Sequence, residues 1–232
     1  MKIALLGYGR MGKMIEGIAL NRGHEIPIIV DTDQEVDLTS VDVAIDFSMP
    51  SAAFDNIVKC MDAGIPVISG TTGWLDRYDE AVTYCKDKNG AFMYASNYSL
   101  GVNLFFKLNR ILAKLMAPYK EYTTELTEIH HTKKLDAPSG TAITLAEGVI
   151  EAGNYDKWKL DATEKDLLSI HSIREGEVPG THTVSYKTEV DSIDITHTAH
   201  NREGFALGAV IAAEWIIGKT GVFSMEDVID QN

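Results

Sequence analysis

Gly7-Tyr8-Gly9-Arg10-Met11-Gly12 stands between an apolar run, Ile3–Leu6, and a stripe of Met11, Ile15, Ile18 and Ala19 at helical spacing. Three glycines spaced in this way between a strand and a helix restrict the fold severely. The first permits a tight turn, Gly9 leaves the backbone open to a pyrophosphate, and Gly12 lets the helix pack closely on the strand. The free N–H groups at the start of that helix then favour an anion. Gly23 is the expected end of the helix. A second apolar run, Ile26–Val30, ends in Asp31, where an acid can accept from ribose hydroxyls.

The alternation continues. Val41–Phe47 reads as a third strand, and Ser48-Met49-Pro50-Ser51 carries capping chemistry for a helix from about Ala52 to Ala63. Ile65–Ser69 reads as a fourth strand, Asp76–Lys88 as a helix and Ala91–Ala95 as a fifth strand. Strands separated by helices in this order predict an α/β fold with a Rossmann-type, doubly wound parallel sheet. Ligands gather at the carboxyl ends of such strands. The polar loops Asp46-Phe47-Ser48, Gly70-Thr71-Thr72 and Ser96-Asn97-Tyr98 are all placed there.

After Asn97 the pattern changes. Leu104, Phe105, Leu108, Ile111, Leu112 and Leu115 form a helical stripe closed by Pro118, which reads as core. Thr123–His130 reads as a strand and Thr141–Ala152 as a helix, followed by strands near Leu167–Arg174, Thr181–Glu189 and Ser192–Ala199. Their Thr- and His-rich, partly alternating composition predicts an open mixed sheet in an α+β domain, with one face solvated or paired with another subunit. Ala206–Gly218 reads as a helix, and the tail beyond it is expected to pack back on the first domain. The predicted division is therefore 1–98 plus about 207–232 for dinucleotide binding, and 99–206 for substrate binding and oligomerisation.

With 21 Lys and Arg against 34 Asp and Glu, the formal net charge is −13. That balance argues against nucleic acid or an anionic membrane as a partner. No run is long and apolar enough to span a bilayer, since Glu214 interrupts Ala209–Ile217. Cys60 and Cys85 lie in helical segments without metal-type spacing, so they are expected to be buried free thiols, which suits a reducing cytoplasm.

In this acidic chain, Glu128-Ile129-His130-His131-Thr132-Lys133-Lys134-Leu135-Asp136-Ala137-Pro138-Ser139-Gly140-Thr141 concentrates two imidazoles and two ammonium groups. A histidine near its ordinary pKa of about 6.5 can give up a proton near neutral pH, and a lysine can neutralise a carboxylate. Gly140 and Thr141 open a helix whose N–H groups can hold a second carboxylate. Cations on one side and a helix N-terminus on the other suggest a small dianion. No metal is expected, because the pair lacks a third ligand at useful spacing, with Asp136 the nearest candidate. His171, His182, His197 and His200 read as structural or interface residues.

Gly7–Gly12, Gly70-Thr71-Thr72-Gly73, Ala95-Ser96-Asn97-Tyr98 through Asn103, the run Glu128–Ala142 and Arg202–Ala209 together resemble the dihydrodipicolinate reductase (4-hydroxy-tetrahydrodipicolinate reductase) family of the diaminopimelate–lysine pathway. The His-His-x-x-Lys-x-Asp-Ala-Pro-Ser-Gly-Thr run is its most specific part. The resemblance implies that His130 is the proton donor to the ring, with Lys134 its partner acid. It also implies that His131, Gly140 and Thr141 contact substrate carboxylate. Gly7, Tyr8, Gly9, Arg10, Met11, Gly12, Asp31, Gly70, Thr71, Thr72, Ala95, Ser96, Asn97 and Tyr98 would line a nicotinamide cofactor. It further implies a cyclic dicarboxylate substrate, a homotetramer joined through the second sheet, and a hinge that closes over substrate. Thr32 and Asp33 follow Asp31 where an arginine would suit a 2′-phosphate, so NADH is expected to be preferred, with NADPH the alternative through Arg10. Competing expectations are another Rossmann dehydrogenase, acting on aspartate or homoserine, and a non-catalytic NAD-binding protein.

Overall fold

The computed structural model describes residues 1–31 and 36–230. Thr32 and Asp33, on which the NADH expectation partly rests, lie outside the described residues. The chain divides into two compact units, Met1–Leu100 with Glu203–Asn232, and Gly101–Arg202.

The first unit opens with β1 (Lys2–Leu6), α1 (Arg10–Asn21), β2 (Glu25–Val30), β3 (Val43–Asp46), α2 (Pro50–Asp62), β4 (Val67–Ser69), α3 (Tyr78–Asp87) and β5 (Ala91–Tyr94). Both faces of β1 are covered over Ile3–Leu6, so these residues are apolar without interruption. Ile3 and Leu5 join one core cluster with Ile15 and Ala19 of α1. Ala4 and Leu6 join the other with Phe54 and Ile57 of α2. Truncating one of these side chains, such as Leu5→Ala, costs about 2–5 kcal/mol. Of the capping chemistry expected over Ser48–Ser51, the proline is used and a side-chain cap is not. Met49 occupies the cap position without a side-chain bond, and Pro50 begins α2, where its missing N–H costs nothing. Cys60 and Cys85 are buried free thiols, and burial pushes both pKa values up.

The second unit comprises α4 (Leu100–Met116), β6 (Thr123–His130), α5 (Gly140–Ile150), β7 (Lys157–Leu160), β8 (Leu167–Arg174), β9 (Gly180–Lys187) and β10 (Ser192–Ala199). The sheet order is β10-β9-β6-β8-β7. β6 runs parallel to β8 and antiparallel to β9, which makes the sheet mixed. Strand periodicity puts Thr124, Leu126, Glu128 and His130 on one face of β6, all buried. Leu126 packs there with Leu145, Ala146 and Val149 of α5. Glu128 and His130 are therefore carried inward by the same alternation that builds the core.

The stripe expected to be core on α4 is only partly so. Phe105 is buried with Val102, Asn109, Ala113 and Met116, whereas Leu104, Leu108, Ile111 and Leu115 are exposed. The buried side is marked by small and polar residues, with Asn109 Nδ2 donating to Leu145 O at 2.9 Å. Following only the large apolar residues chose the wrong face. β7 was also unanticipated, because Lys157-Trp158-Lys159-Leu160 reads as a charged segment.

The chain returns to the first unit through α6 (Glu203–Ile216), β11 (Gly221–Phe223) and α7 (Met225–Ile229). β11 pairs with β5, so the parallel sheet has six strands, ordered β11-β5-β4-β3-β1-β2, rather than the five expected. Three residues beginning with glycine carry too little pattern to be recognised. Gly208 lets α6 lie against the chain at Tyr98, where a Cβ would fall 1.7 Å from Tyr98 O. Among the described residues, no helix is long and apolar enough to cross a membrane.

Candidate active site

In the first unit, the glycine turn is shaped by three distinct constraints. Gly7 has φ +96°, and a Cβ there would meet Phe47 O at 2.2 Å. A Cβ on Gly12 would meet Gly7 O at 2.3 Å, so this position secures the close approach of α1 to the turn. Around Gly9, by contrast, a Cβ would find nothing within 4 Å. Open space beside Gly9 and an α1 N-terminus with neither a side-chain cap nor an acidic first turn fit a pyrophosphate. Val30, Asp31, Ser48 and Ala52 line the same cleft, which continues past Arg10, Met11 and Thr72. Asp31 accepts from Tyr8 N at 3.3 Å, while the Tyr8 hydroxyl donates to Glu16 on α1.

Asp46, expected in a polar loop on this rim, is instead a buried carboxylate beneath it. Asp46 is 0% exposed at the end of β3. Its Oδ1 accepts from Ser48 Oγ at 2.6 Å and Asn56 Nδ2 at 3.0 Å, and its Oδ2 from Ser69 Oγ and Thr71 Oγ1, both at 2.8 Å. Thr71 Oγ1 in turn accepts from Ser48 N at 2.9 Å. Burial pushes the Asp46 carboxyl up, and these four neutral donors offset only part of that. Gly70 packs against the Phe47 ring, and Thr72 and Ser96 are exposed on the rim. Asn97 Oδ1 accepts from Ser99 N at 2.9 Å beside Ala95 and Ser96. Thr71 lines the cleft with Gly70 and Thr72, yet its side chain and that of Tyr98 are both buried. Thr71 is buried in the Asp46 network, and Tyr98 is packed in the core with its hydroxyl donating to Ser69 O at 2.9 Å. A buried tyrosine needs such a partner, and the backbone of β4 supplies it.

In the second unit, the tip of β6 carries the cationic stretch. Glu128 is 0% exposed, and His130 Nδ1 lies 3.4 Å and His182 Nε2 3.6 Å from its Oε2. Glu128 Oε1 accepts from Ser172 Oγ at 2.8 Å, Arg174 Nη2 at 3.1 Å and Ser139 N at 3.1 Å. Ser139 Oγ pairs with His182 Nε2 at 3.1 Å and accepts from Ala142 N at 3.2 Å as the N-cap of α5. The N-terminal N–H groups of Gly140 and Thr141 thus begin one residue from the Glu128 network. His131 is tied through its backbone, with N donating to Val178 O at 2.8 Å, and its side chain is half-buried. Lys133 pairs with Glu177 at 3.0 Å on the surface, as a solvated lysine would.

Lys134 Nζ is held by both oxygens of Asp136, at 2.8 and 2.7 Å. One expectation about this stretch needs correction. His130 is not near the ordinary histidine pKa. Burial lowers it to about 4, with His182, Lys134 and Arg174 adding to the effect and Glu128 opposing it. For Glu128, burial pushes upward, but bonds from His182, Ser139 and Ser172 win and hold it well below the usual carboxylate range. Glu128, His130 and His182 place three potential metal-ligand atoms within 4.8 Å of one another, so a third ligand is present after all. The guanidinium, the hydroxyl and the backbone N–H all fall on Oε1, while Oε2 faces both imidazoles.

Models of the dihydrodipicolinate reductase N-terminus and C-terminus match residues 1–98 and 101–229. A 4-hydroxy-tetrahydrodipicolinate reductase from Christiangramia forsetii is 56% identical over 233 residues, covering 99% of this chain and 98% of the relative. The chain belongs to the dihydrodipicolinate reductase family. A member from Neisseria gonorrhoeae is 31% identical, with 100% of this chain and 98% of the relative covered. A dipicolinate-bound dihydrodipicolinate reductase from Paenisporosarcina sp. TG-14 superposes with a TM-score of 0.77 at 21% identity, covering 97% of each chain. That structural likeness shows the shared fold. The reductase family accounts for both halves of the arrangement, a nucleotide cleft in the first unit and a cationic cluster beside a helix N-terminus in the second.

Proposed function

We propose that the protein reduces 4-hydroxy-tetrahydrodipicolinate to tetrahydrodipicolinate in the diaminopimelate route to lysine, using a pyridine nucleotide held at the glycine turn. The observation that carries this reading is the convergence of His130, Arg174 and the start of α5 about Glu128, with Arg174 also tied to Asp136, the partner of Lys134, in a chain 56% identical to a relative of that name. In the net reaction the substrate loses water and gains a hydride and a proton. The reduced nicotinamide, when bound, supplies the hydride.

His130 supplies the proton to the ring, and Lys134 is its partner acid, released from Asp136 to meet substrate. His131 and the N–H groups of Gly140 and Thr141 hold the substrate carboxylates. With its pKa near 4, the His130 imidazole is neutral in the free protein at pH 7. Two carboxylates brought beside it raise its affinity for a proton, so the dianion itself recruits the acid that the reaction needs.

Residues 1–98 with about 207–232 form the nucleotide-binding domain in this reading, and 99–206 the substrate-binding and tetramerisation domain. Gly7, Gly9, Arg10, Met11, Gly12, Asp31 and Thr72, with the backbone of Tyr8, Gly70, Thr71 and Ala95–Tyr98, line the nucleotide. Asp31 is exposed at the end of β2, and its charge favours NADH by repelling a 2′-phosphate. The far face of the second sheet, with Thr127, Thr183, Thr196 and the exposed Ile173, is available for pairing into a homotetramer. Two buried free thiols suit a cytoplasmic setting.

The test is to supply freshly generated substrate from the preceding synthase and follow nucleotide absorbance. Turnover with NADH, several-fold faster than with NADPH at equal concentration, is the expected outcome. Absence of turnover with either nucleotide would sink the reading.

A further inference from the structure

His130 Nδ1 is buried and has no hydrogen-bond partner, and the Glu128 carboxylate lies 3.4 Å away. The ring is confined on other sides as well. The His182 ring stands edge-on, with centroids 5.0 Å apart, and a Cβ on Gly180 would come within 3.1 Å of His130 Nε2. The backbone of His130 is fixed by Glu175 N donating to its carbonyl at 2.8 Å. On its other side Glu128 accepts from Ser172 and Arg174 of β8 and from Ser139 N at the start of α5. Arg174 Nη2 also donates to Asp136 O at 2.6 Å, which ties the loop bearing Lys134 to the same node.

We propose that Glu128 is a positioning residue that joins the proton donor to the carboxylate anchor: one oxygen orients the His130 ring through Nδ1, and the other fixes Arg174, Ser172 and the first turn of α5. The inference rests on the reading of His130 as the proton donor. A carboxylate facing Nδ1 keeps a proton on that nitrogen, so Nε2 is the atom that releases a proton to substrate. It also stabilises the imidazolium formed when substrate arrives. The charged groups around His130 are Glu128 on β6, Arg174 on β8, His182 on β9 and Lys134 on the following loop, and Glu128 alone among them favours the protonated ring. Without it, three cationic or neutral neighbours would disfavour the acid form.

The test is Glu128→Gln in the full chain, read by nitrogen-15 NMR of the His130 imidazole, by kcat and KM, and by nucleotide affinity. The inference expects loss of the Nδ1–H tautomer, a His130 titration moved to lower pH, at least a tenfold fall in kcat and a nucleotide Kd within twofold of wild type. An unchanged tautomer together with an unchanged kcat would overturn it. If Glu128→Gln does not fold, Ser172→Ala and Arg174→Gln loosen the carboxylate while retaining its charge. Each is then expected to shift the tautomer ratio and lower kcat at least threefold, and wild-type values in both would overturn the inference. His130→Gln turning over at the wild-type rate would instead refute His130 as donor, and the tautomer result on Glu128→Gln would still stand on its own.

Discussion

Asp46 in the first unit and Glu128 in the second are both fully buried carboxylates, yet they are held in different ways. Asp46 is surrounded by neutral donors, namely three hydroxyls and an amide, and burial raises its pKa. Glu128 has Arg174 at 3.1 Å and two histidines within 3.6 Å, and its pKa is lowered. Burying a charge without a countercharge is costly, so Asp46 gives structural order to Ser48 and Thr71 at the rim. Glu128 instead holds an ionised carboxylate against a guanidinium and two imidazoles. The two buried acids thus differ by their donors, neutral around Asp46 and cationic around Glu128.

The largest expected effect lies on the Glu128 side. His130→Ala and Lys134→Ala should each lower kcat by roughly 10²–10⁴-fold, the usual contribution of a positioned acid. Nucleotide Kd should stay near wild type, and unchanged rates in both variants would remove the proton chemistry from this cluster. On the Asp46 side, Gly9→Ala should leave thermal stability intact, since its Cβ meets nothing within 4 Å, while weakening nucleotide binding at least tenfold. Gly12→Ala should lower both, because its Cβ would sit 2.3 Å from Gly7 O.

The two carboxylates also differ in the sign of their pH dependence. Asp46 has a raised folded pKa, so the stability it contributes is present at low pH and lost as pH rises through that value. Glu128 has a lowered one, and its contribution is lost as pH falls below the ordinary carboxylate range. His130, lowered from 6.5 to about 4, binds a proton more readily in the unfolded chain, so stability falls as pH drops across that window. That difference is worth about 3 kcal/mol. Chemical denaturation at pH 7 and pH 4.5 should show a smaller loss in His130→Gln than in wild type, and an equal loss would contradict the assignment. The smallest effect is the cofactor preference, where Asp31→Asn should narrow a several-fold NADH advantage measured by initial rates.

The first unit was legible because its signals are local. The turn from Gly7 to Gly12 and the acid at Asp31 belong to one strand–helix–strand segment, and their geometry follows from that segment alone. The Glu128 network was not legible in this way. Ser172 and Arg174 lie 44 and 46 residues further along, and only the parallel pairing of β6 with β8 brings them together. His182 arrives by the antiparallel pairing with β9, opposite Glu128, so it read as one scattered histidine among several. The depressed pKa of His130 was invisible for the same reason, since burial is a property of the folded sheet. On α4 the error was of another kind. Leucine size suggested a buried face, but of that stripe only Phe105 is fully buried, beside Asn109 and Ala113.

The division of labour between the two carboxylates is tested most directly by measuring kcat and nucleotide Kd side by side in Asp46→Asn and Glu128→Gln. Asp46→Asn should raise Kd by roughly three- to tenfold, about what one misplaced hydrogen bond is worth, and leave kcat at saturating nucleotide near wild type. Glu128→Gln should lower kcat and spare Kd. Both variants moving the same constant, or each moving the other's, would contradict the account.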